Sequence, residues 1–166
     1  MDAVYNCAQE RTENSDGKVT VEVAEEMRDG KRKFRRLPNG NKHGLYQEWY
    51  ANSKLRRQCK YVDGRINGLY QDWYANGRLR RQCTLSNGKM GGLYREWHDN
   101  GLLRKQCTRF DGRINGLYQE WHYNGILFKQ CPYVSGKEEG LYQEWYEDGK
   151  LRVERTYVAE ISQPTS

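Results

Sequence analysis

The chain has 166 residues, 36% of them hydrophobic and 13% aromatic, with a mean hydropathy of -1.10 and 28 Lys+Arg against 22 Asp+Glu, a net charge of +6. One domain of ordinary size fits that length, but the polarity excludes a thick two-sided core and the aromatic content excludes a disordered chain. No run approaches the roughly 18 apolar residues of a membrane helix, and the start, MDAVYNCAQERTEN, carries no apolar leader, so a membrane-spanning or conventionally secreted protein is not expected.

Charge is blocked along the chain. Residues 1–30 hold eight acids and three bases, and residues 31–36 add five bases. Residues 37–137 hold seventeen bases and seven acids, and residues 138–166 hold seven acids and three bases. A basic middle suits an acidic partner, whether protein, nucleic acid or anionic lipid, or it simply keeps an extended surface soluble.

In chain order, residues 1–14 show no period and are expected to be flexible or loosely docked. Val19, Val21 and Val23 alternate after Asp16-Gly17 and predict a strand. Asp29-Gly30, followed by Gly40, reads as a degenerate unit one residue short of those that follow, so residues 1–36 are read as a flexible segment and a strand cap.

From residue 37 to residue 159 the sequence repeats itself five times. Gly44, Gly68, Gly92, Gly116 and Gly140 stand 24 residues apart and open the phrases GLYQEWY, GLYQDWY, GLYREWH, GLYQEWH and GLYQEWY. Five Trp share one phase, as do Leu55, Leu79, Leu103, Leu127 and Leu151, and the four cysteines Cys59, Cys83, Cys107 and Cys131. Each aromatic segment favours a strand and ends at a turn cue, Asn-Gly or a relative of it, and the segment after the turn alternates again. A wider turn, residues 63–68 in the first copy, leads to the next unit. One β-hairpin per repeat follows, and no 3.6-residue period competes.

Hairpins joined by connections too short for a crossover helix must lie side by side. The expected fold is therefore all-β, an elongated single-layer antiparallel meander of tandem 24-residue β-hairpin repeats, each advancing the sheet by about 9.6 Å. The tip decides which residues share a face. A two-residue turn puts Tyr46, Glu48 and Tyr50 with Leu55, Arg57, Cys59 and Tyr61, whereas a three-residue tip puts Leu45, Gln47 and Trp49 there; the first is the working reading.

This alternation of Gly-x-Tyr, aromatic pairs, Asn-Gly, Leu and a closing aromatic before Asn/Asp-Gly resembles the MORN repeat (membrane occupation and recognition nexus), in its divergent second variant. The resemblance implies a single-layer antiparallel sheet used as an interaction scaffold, with lipid binding often proposed. Similar tandem copies occur in giant DNA viruses and in bacterial proteins labelled as antitoxins, which implies a toxin-neutralising role as a further possibility. Cysteine at Cys59, Cys83, Cys107 and Cys131, where glycine is common, sets this chain apart.

The last unit carries Arg155 in place of cysteine and runs into a tail, residues 160–166, expected to be disordered. Pro132, inside the fourth return strand, must sit at a bulge or turn its missing donor away from a neighbour.

Chemistry is not expected from these residues. Successive cysteines of the row lie about 9.6 Å apart, beyond disulfide reach and easy shared metal ligation, so they read as small hydrophobes in a reduced intracellular, cytoplasmic setting, host cytoplasm or virion if viral. His98 and His122 replace Tyr50 and Tyr74 ring for ring, and His43 lies in a turn. No nucleophile with a base, phosphate loop or carboxylate cleft stands out, so neither an enzyme nor a cofactor is expected.

A binding surface remains. Tyr46, Trp49, Tyr70, Trp73, Tyr94, Trp97, Tyr118, Trp121, Tyr142 and Trp145 are the candidate anchors for a protein partner. The rival is an anionic surface, lipid or nucleic acid, contacted by Arg56, Arg57, Arg80, Arg81, Arg104 and Lys105, although adjacent bases such as Arg56 and Arg57 are expected on opposite faces. The sequence names neither the partner nor the oligomeric state.

Overall fold

The computed structural model describes residues 11–13 and 16–158. The expected tail, 160–166, and residues 1–10, 14 and 15 of the expected flexible segment lie outside the described residues. Sixteen strands form one open antiparallel sheet in which neighbours in sequence are neighbours in space. Among the described residues no helix occurs, so none is long and apolar enough to cross a membrane.

Each repeat contributes an outgoing strand (Gly44–Tyr50, Gly68–Trp73, Lys89–Trp97, Gly116–Trp121, Gly140–Trp145) and a return strand (Leu55–Val62, Leu79–Ser86, Leu103–Phe110, Leu127–Val134, Leu151–Tyr157). Before them, Val19–Met27 and Gly30–Arg36 form a hairpin that pairs with the first outgoing strand. Arg11–Glu13, in a stretch whose sequence shows no period, adds an edge strand against residues 19–21.

Turn chemistry is distributed differently from the expectation. The tight two-residue turns lie at the junctions between repeats: Asp63-Gly64, Asn87-Gly88, Asp111-Gly112 and Ser135-Gly136 have both central residues at positive φ, as a type I′ hairpin demands. Two residues on, strands such as Arg65–Ile66 meet a kink at Asn67-Gly68 before the outgoing strand resumes. At the opposite end, the Asn-Gly tips close three-residue loops, with Tyr50 N–H bonded to Lys54 O and Ser53 N–H to Tyr50 O. The third loop residue needs positive φ, which Gly77, Gly101, Gly125 and Gly149 supply and Ser53 adopts at 62°.

A three-residue tip sets Trp49 opposite Leu55, yet Glu48 pairs with Arg57, because a β-bulge at Arg56 absorbs one residue. The same shift falls at Arg80, Arg104, Phe128 and Arg152. The tip is therefore the three-residue form, while the body keeps the register expected of the two-residue form. Leu55 goes with Trp49 and not with Arg57 and Cys59.

Pro132 sits opposite Leu117, and its carbonyl accepts from Glu139 N–H in the following junction. A residue's N–H and C=O point to the same neighbour, so the missing donor faces the junction, where the ladder to the next outgoing strand is already interrupted.

Burial is one-sided. Phe34, Tyr46, Cys59, Cys83, Leu85, Tyr94, Cys107, Cys131 and Tyr142 are the buried apolar residues, all on one face. Ile66, Met90 and Ile114, from the folded-back strand starts, pack against this row. The core is thus a narrow furrow of tyrosine and cysteine running across the repeats, with Phe34 of the cap at one end, 5.8 Å from the Tyr46 ring.

Candidate interaction surface

The buried face carries a second row beside the tyrosines. Glu25, Arg32, Glu48, Arg57, Asp72, Arg81, Glu96, Lys105, Glu120, Lys129 and Glu144 are successive cross-strand partners, acid and base alternating from the cap to the last repeat. Opposite charges directly across a strand pair attract, so one register gives every carboxylate of the row at least one base across the sheet, although in the last hairpin Glu144 faces Val153. The carboxylate of each of the five repeats also accepts from the tyrosine two residues before it: Tyr46 to Glu48, Tyr70 to Asp72, Tyr94 to Glu96, Tyr118 to Glu120 and Tyr142 to Glu144. Burial, then the adjacent carboxylate, pushes the Tyr46 and Tyr70 phenols up to about 12.

The bulge alters the placement of the candidate anion contacts. Two successive residues now face one partner, so Arg56 and Arg57 both reach Glu48, at 3.2 and 3.7 Å, and do not project to opposite faces. Arg80 and Arg81 both reach Asp72, at 2.8 and 4.0 Å. Arg104 reaches Glu96 at 3.8 Å, and Lys105 reaches Glu120 at 3.0 Å. All six candidate bases therefore sit against carboxylates of the ladder. Asp72, 1% exposed, is the most enclosed of these acids.

Beyond the bulge, repeats are stapled tip to tip. Tyr50 and Tyr74 hydroxyls donate to the carbonyls of Trp73 and Trp97, at 2.7 and 2.8 Å. His98 and His122 make the equivalent contacts to the carbonyls of Trp121 and Trp145 through Nε2, which must carry the proton. The imidazoles do stand in for phenols. The tip asparagines add a second staple, Asn52, Asn76, Asn100 and Asn124 each donating to a carbonyl in the next tip. At that position the last repeat has Asp148, which cannot donate and only accepts from Lys150.

The ten candidate anchor rings do not share a surface. Tyr46, Tyr70, Tyr94, Tyr118 and Tyr142 line the furrow, Tyr46 only 4% exposed, with their hydroxyls engaged, so they are core and not exposed anchors. Trp49, Trp73, Trp97, Trp121 and Trp145 lie on the opposite face, half-buried, each beside a leucine of the return strand. Ring contacts link tyrosine, phenylalanine and histidine, and among the described residues none joins two tryptophans.

The tryptophan face holds two further rows. Leu45, Leu69, Leu93, Leu117 and Leu141 are 42–52% exposed, a regular apolar series open to solvent. Between them and the tryptophans runs an amide ladder, Gln47 to Gln58, Gln71 to Gln82, Gln119 to Gln130 and on to Gln143, with Arg95 donating to Gln106 in the middle repeat. The signal for both rows was present in the sequence, since Leu and Gln hold the same 24-residue phase as the glycines.

Burial pushes the thiols up, Cys59 to about 11, so they are poor nucleophiles. Among the described residues no cluster of His, Cys, Asp and Glu has a metal-binding arrangement.

A single-layer sheet whose contacts recur at every repeat, with one face consumed internally and the other open, defines a tandem β-hairpin repeat protein. Residues 42–63, 114–135 and 138–159 match the MORN repeat variant. These three segments are MORN repeat variants, and the intervening copies, in the same phase, pair their strands the same way. MORN repeats are in general protein- or membrane-interaction modules. No curated protein matches the chain.

Proposed function

We propose that this protein is a non-enzymatic scaffold, with residues 37–159 as the repeat array, and that a protein partner docks on the face carrying Leu45, Leu69, Leu93, Leu117 and Leu141 beside the five tryptophans. The observation that carries this reading is the regular leucine row, which leaves about half of each side chain open to solvent. Trp49, Trp73, Trp97, Trp121 and Trp145 supply large rigid anchors next to it, as interface hot spots do. A reducing, intracellular setting fits the four free buried thiols.

The test is capture of partners from the native cell by the full chain and by a Leu69→Glu, Leu93→Glu variant. Loss of a partner held by the wild type, at an unchanged melting temperature, supports the reading. Equal capture by both proteins refutes it. Vesicles and oligonucleotides titrated across salt cover the rival: binding that weakens steeply with salt and survives the double variant moves the function to an anionic surface.

A further inference from the structure

The open face is almost free of charge. From the leucine row to the tryptophan row, the strand residues of the five repeats that share this face are charged only at Lys60, Arg95 and Glu154. Two of these are engaged within the sheet, Arg95 donating to Gln106 and Glu154 accepting from Gln143. The ladder keeps its bases and acids on the furrow face, so the net charge of +6 is not concentrated where the leucines stand. The glutamine amides between leucines and tryptophans bond one another, so a covering layer strips less water from unpaired polar groups.

Polar residues bound the apolar area on two sides. At the cap, Lys31 and Arg35 stand across the sheet from Glu26 and Glu22. At the junctions, Arg65, Lys89, Arg113 and Lys137 stand opposite Val62, Ser86, Phe110 and Val134. An apolar centre with a polar margin is the layout of protein interfaces. The ten strands of the repeats, spaced at about 4.8 Å and about 20 Å long, give roughly 900 Å² per copy. Two such faces laid together flat cover about 1,800 Å², and the crossing of about 30° between twisted sheets trims this towards about 1,200 Å², the lower end of specific interfaces.

We propose that the occupant of this face is a second copy of the chain, the two sheets stacked face to face about a two-fold axis that runs along the repeat direction. The inference rests on the docking face proposed above and names its partner. A surface that repeats every 24 residues has the same spacing on both copies, so a fit made in one repeat is made in its neighbours. This axis turns the strands of one copy end for end. The leucine row then lies over the partner's tryptophan row, and the glutamine ladder lies over its own counterpart. The junction bases come over the partner's tips, where Asp99, Glu147 and Asp148 stand among Lys54, Arg78 and Lys150. An axis along the strands would set the base row Arg65, Lys89, Arg113 and Lys137 against itself, which like charges disfavour.

Sedimentation velocity of the purified full chain under reducing conditions tests this. A contact at the lower size limit predicts a dimer with a Kd of about 10 µM, which leaves the chain monomeric at the roughly 1 µM of a thermal melt. The Leu69→Glu, Leu93→Glu variant should weaken association at least tenfold, and Arg104→Gln, on the furrow side, should leave it unchanged; thermal melts at about 1 µM check that both fold. A chain that stays monomeric up to about 200 µM, or a dimer that survives the leucine variant, overturns the proposal. Capture of a different protein that the leucine variant loses would then leave the docking face standing without the second copy, so the two readings fail separately. For the arrangement, Gln71→Cys treated with a bismaleimide of about 10 Å reach, the spacing of stacked sheets, should cross-link to the same residue of the other copy. The axis along the strands sets these residues about two repeats apart, near 19 Å, so a dimer without the cross-link overturns the arrangement.

Discussion

Replacing Asp72 with asparagine probes the charge ladder where it is most enclosed. The carboxylate accepts from Tyr70 at 3.1 Å and from Arg80 at 2.8 and 3.1 Å, lies 4.0 Å from Arg81, and pairs across the sheet with Arg57. The amide keeps the shape but removes the charge that three guanidinium groups share, and its NH2 cannot accept a hydrogen bond. The buried tyrosine contact is worth about 1.5 kcal/mol, and the arginine contacts, to side chains 32–42% exposed, about 0.5–1 kcal/mol each after screening. The expected loss is about 3 kcal/mol, or roughly 6–12 °C in melting temperature for a chain of this size. Glu144→Gln should cost less, about 1–2 kcal/mol, since Glu144 faces Val153 on one side and, on the other, Lys129, whose ammonium pairs with Glu138, which leaves Tyr142 and Arg152 as its side-chain partners. Thermal and urea melts followed by far-ultraviolet circular dichroism measure both. A loss under 0.5 kcal/mol at Asp72, or a larger one at Glu144, would refute the ladder as a source of stability.

Three further outcomes follow from the same geometry. Tyr46 and Tyr70 are held neutral to about 12, above the ordinary phenol value of 10, so the stability they contribute is complete below pH 10 and is lost as pH rises through 12. Absorbance at 295 nm should show ladder tyrosinate forming only as the circular dichroism signal collapses, and ionisation of all 13 tyrosines near pH 10 in a folded chain contradicts this. His98→Tyr should leave stability unchanged because Tyr50 and Tyr74 make the same staple, whereas His98→Phe should cost about 1 kcal/mol in urea melts. Ser53→Gly should stabilise by about 1 kcal/mol, since Ser53 holds a φ of 62° where the other tips have glycine; a neutral or negative change would count against strain there.

The repeat, the meander and the hairpin unit were legible because Gly44, Trp49, Leu55 and Cys59 recur without a break in phase. The face assignment was only half legible. A three-residue tip fits a type I turn ending at Gly77 and its equivalents, whereas charge does not choose, since Glu48 meets Arg57 in the two-residue register and Arg56 in the three-residue one; the structure has the three-residue tip together with Glu48 opposite Arg57. Both hold because Arg56 bulges, and a bulge leaves no mark in the alternation of a strand whose neighbouring residues are both arginine. Asp63-Gly64 carried the type I′ cue, yet the kink at Asn67-Gly68 made the junction resemble one wide turn. Tyrosine and tryptophan also look alike as anchors in a sequence. Only their parity in the strand, Tyr46 with the furrow and Trp49 with the open face, separates core from surface.

The most direct test of this division compares two adjacent residues, Leu93 and Tyr94, as single glutamate variants in thermal melts. Leu93→Glu should melt within about 1 °C of the wild type, because Leu93 is exposed on the open face, while Tyr94→Glu, which buries a charge in the furrow beside Glu96, should lose at least 10 °C or fail to fold. A large loss at Leu93 with little effect at Tyr94 would reverse the two faces and contradict the account.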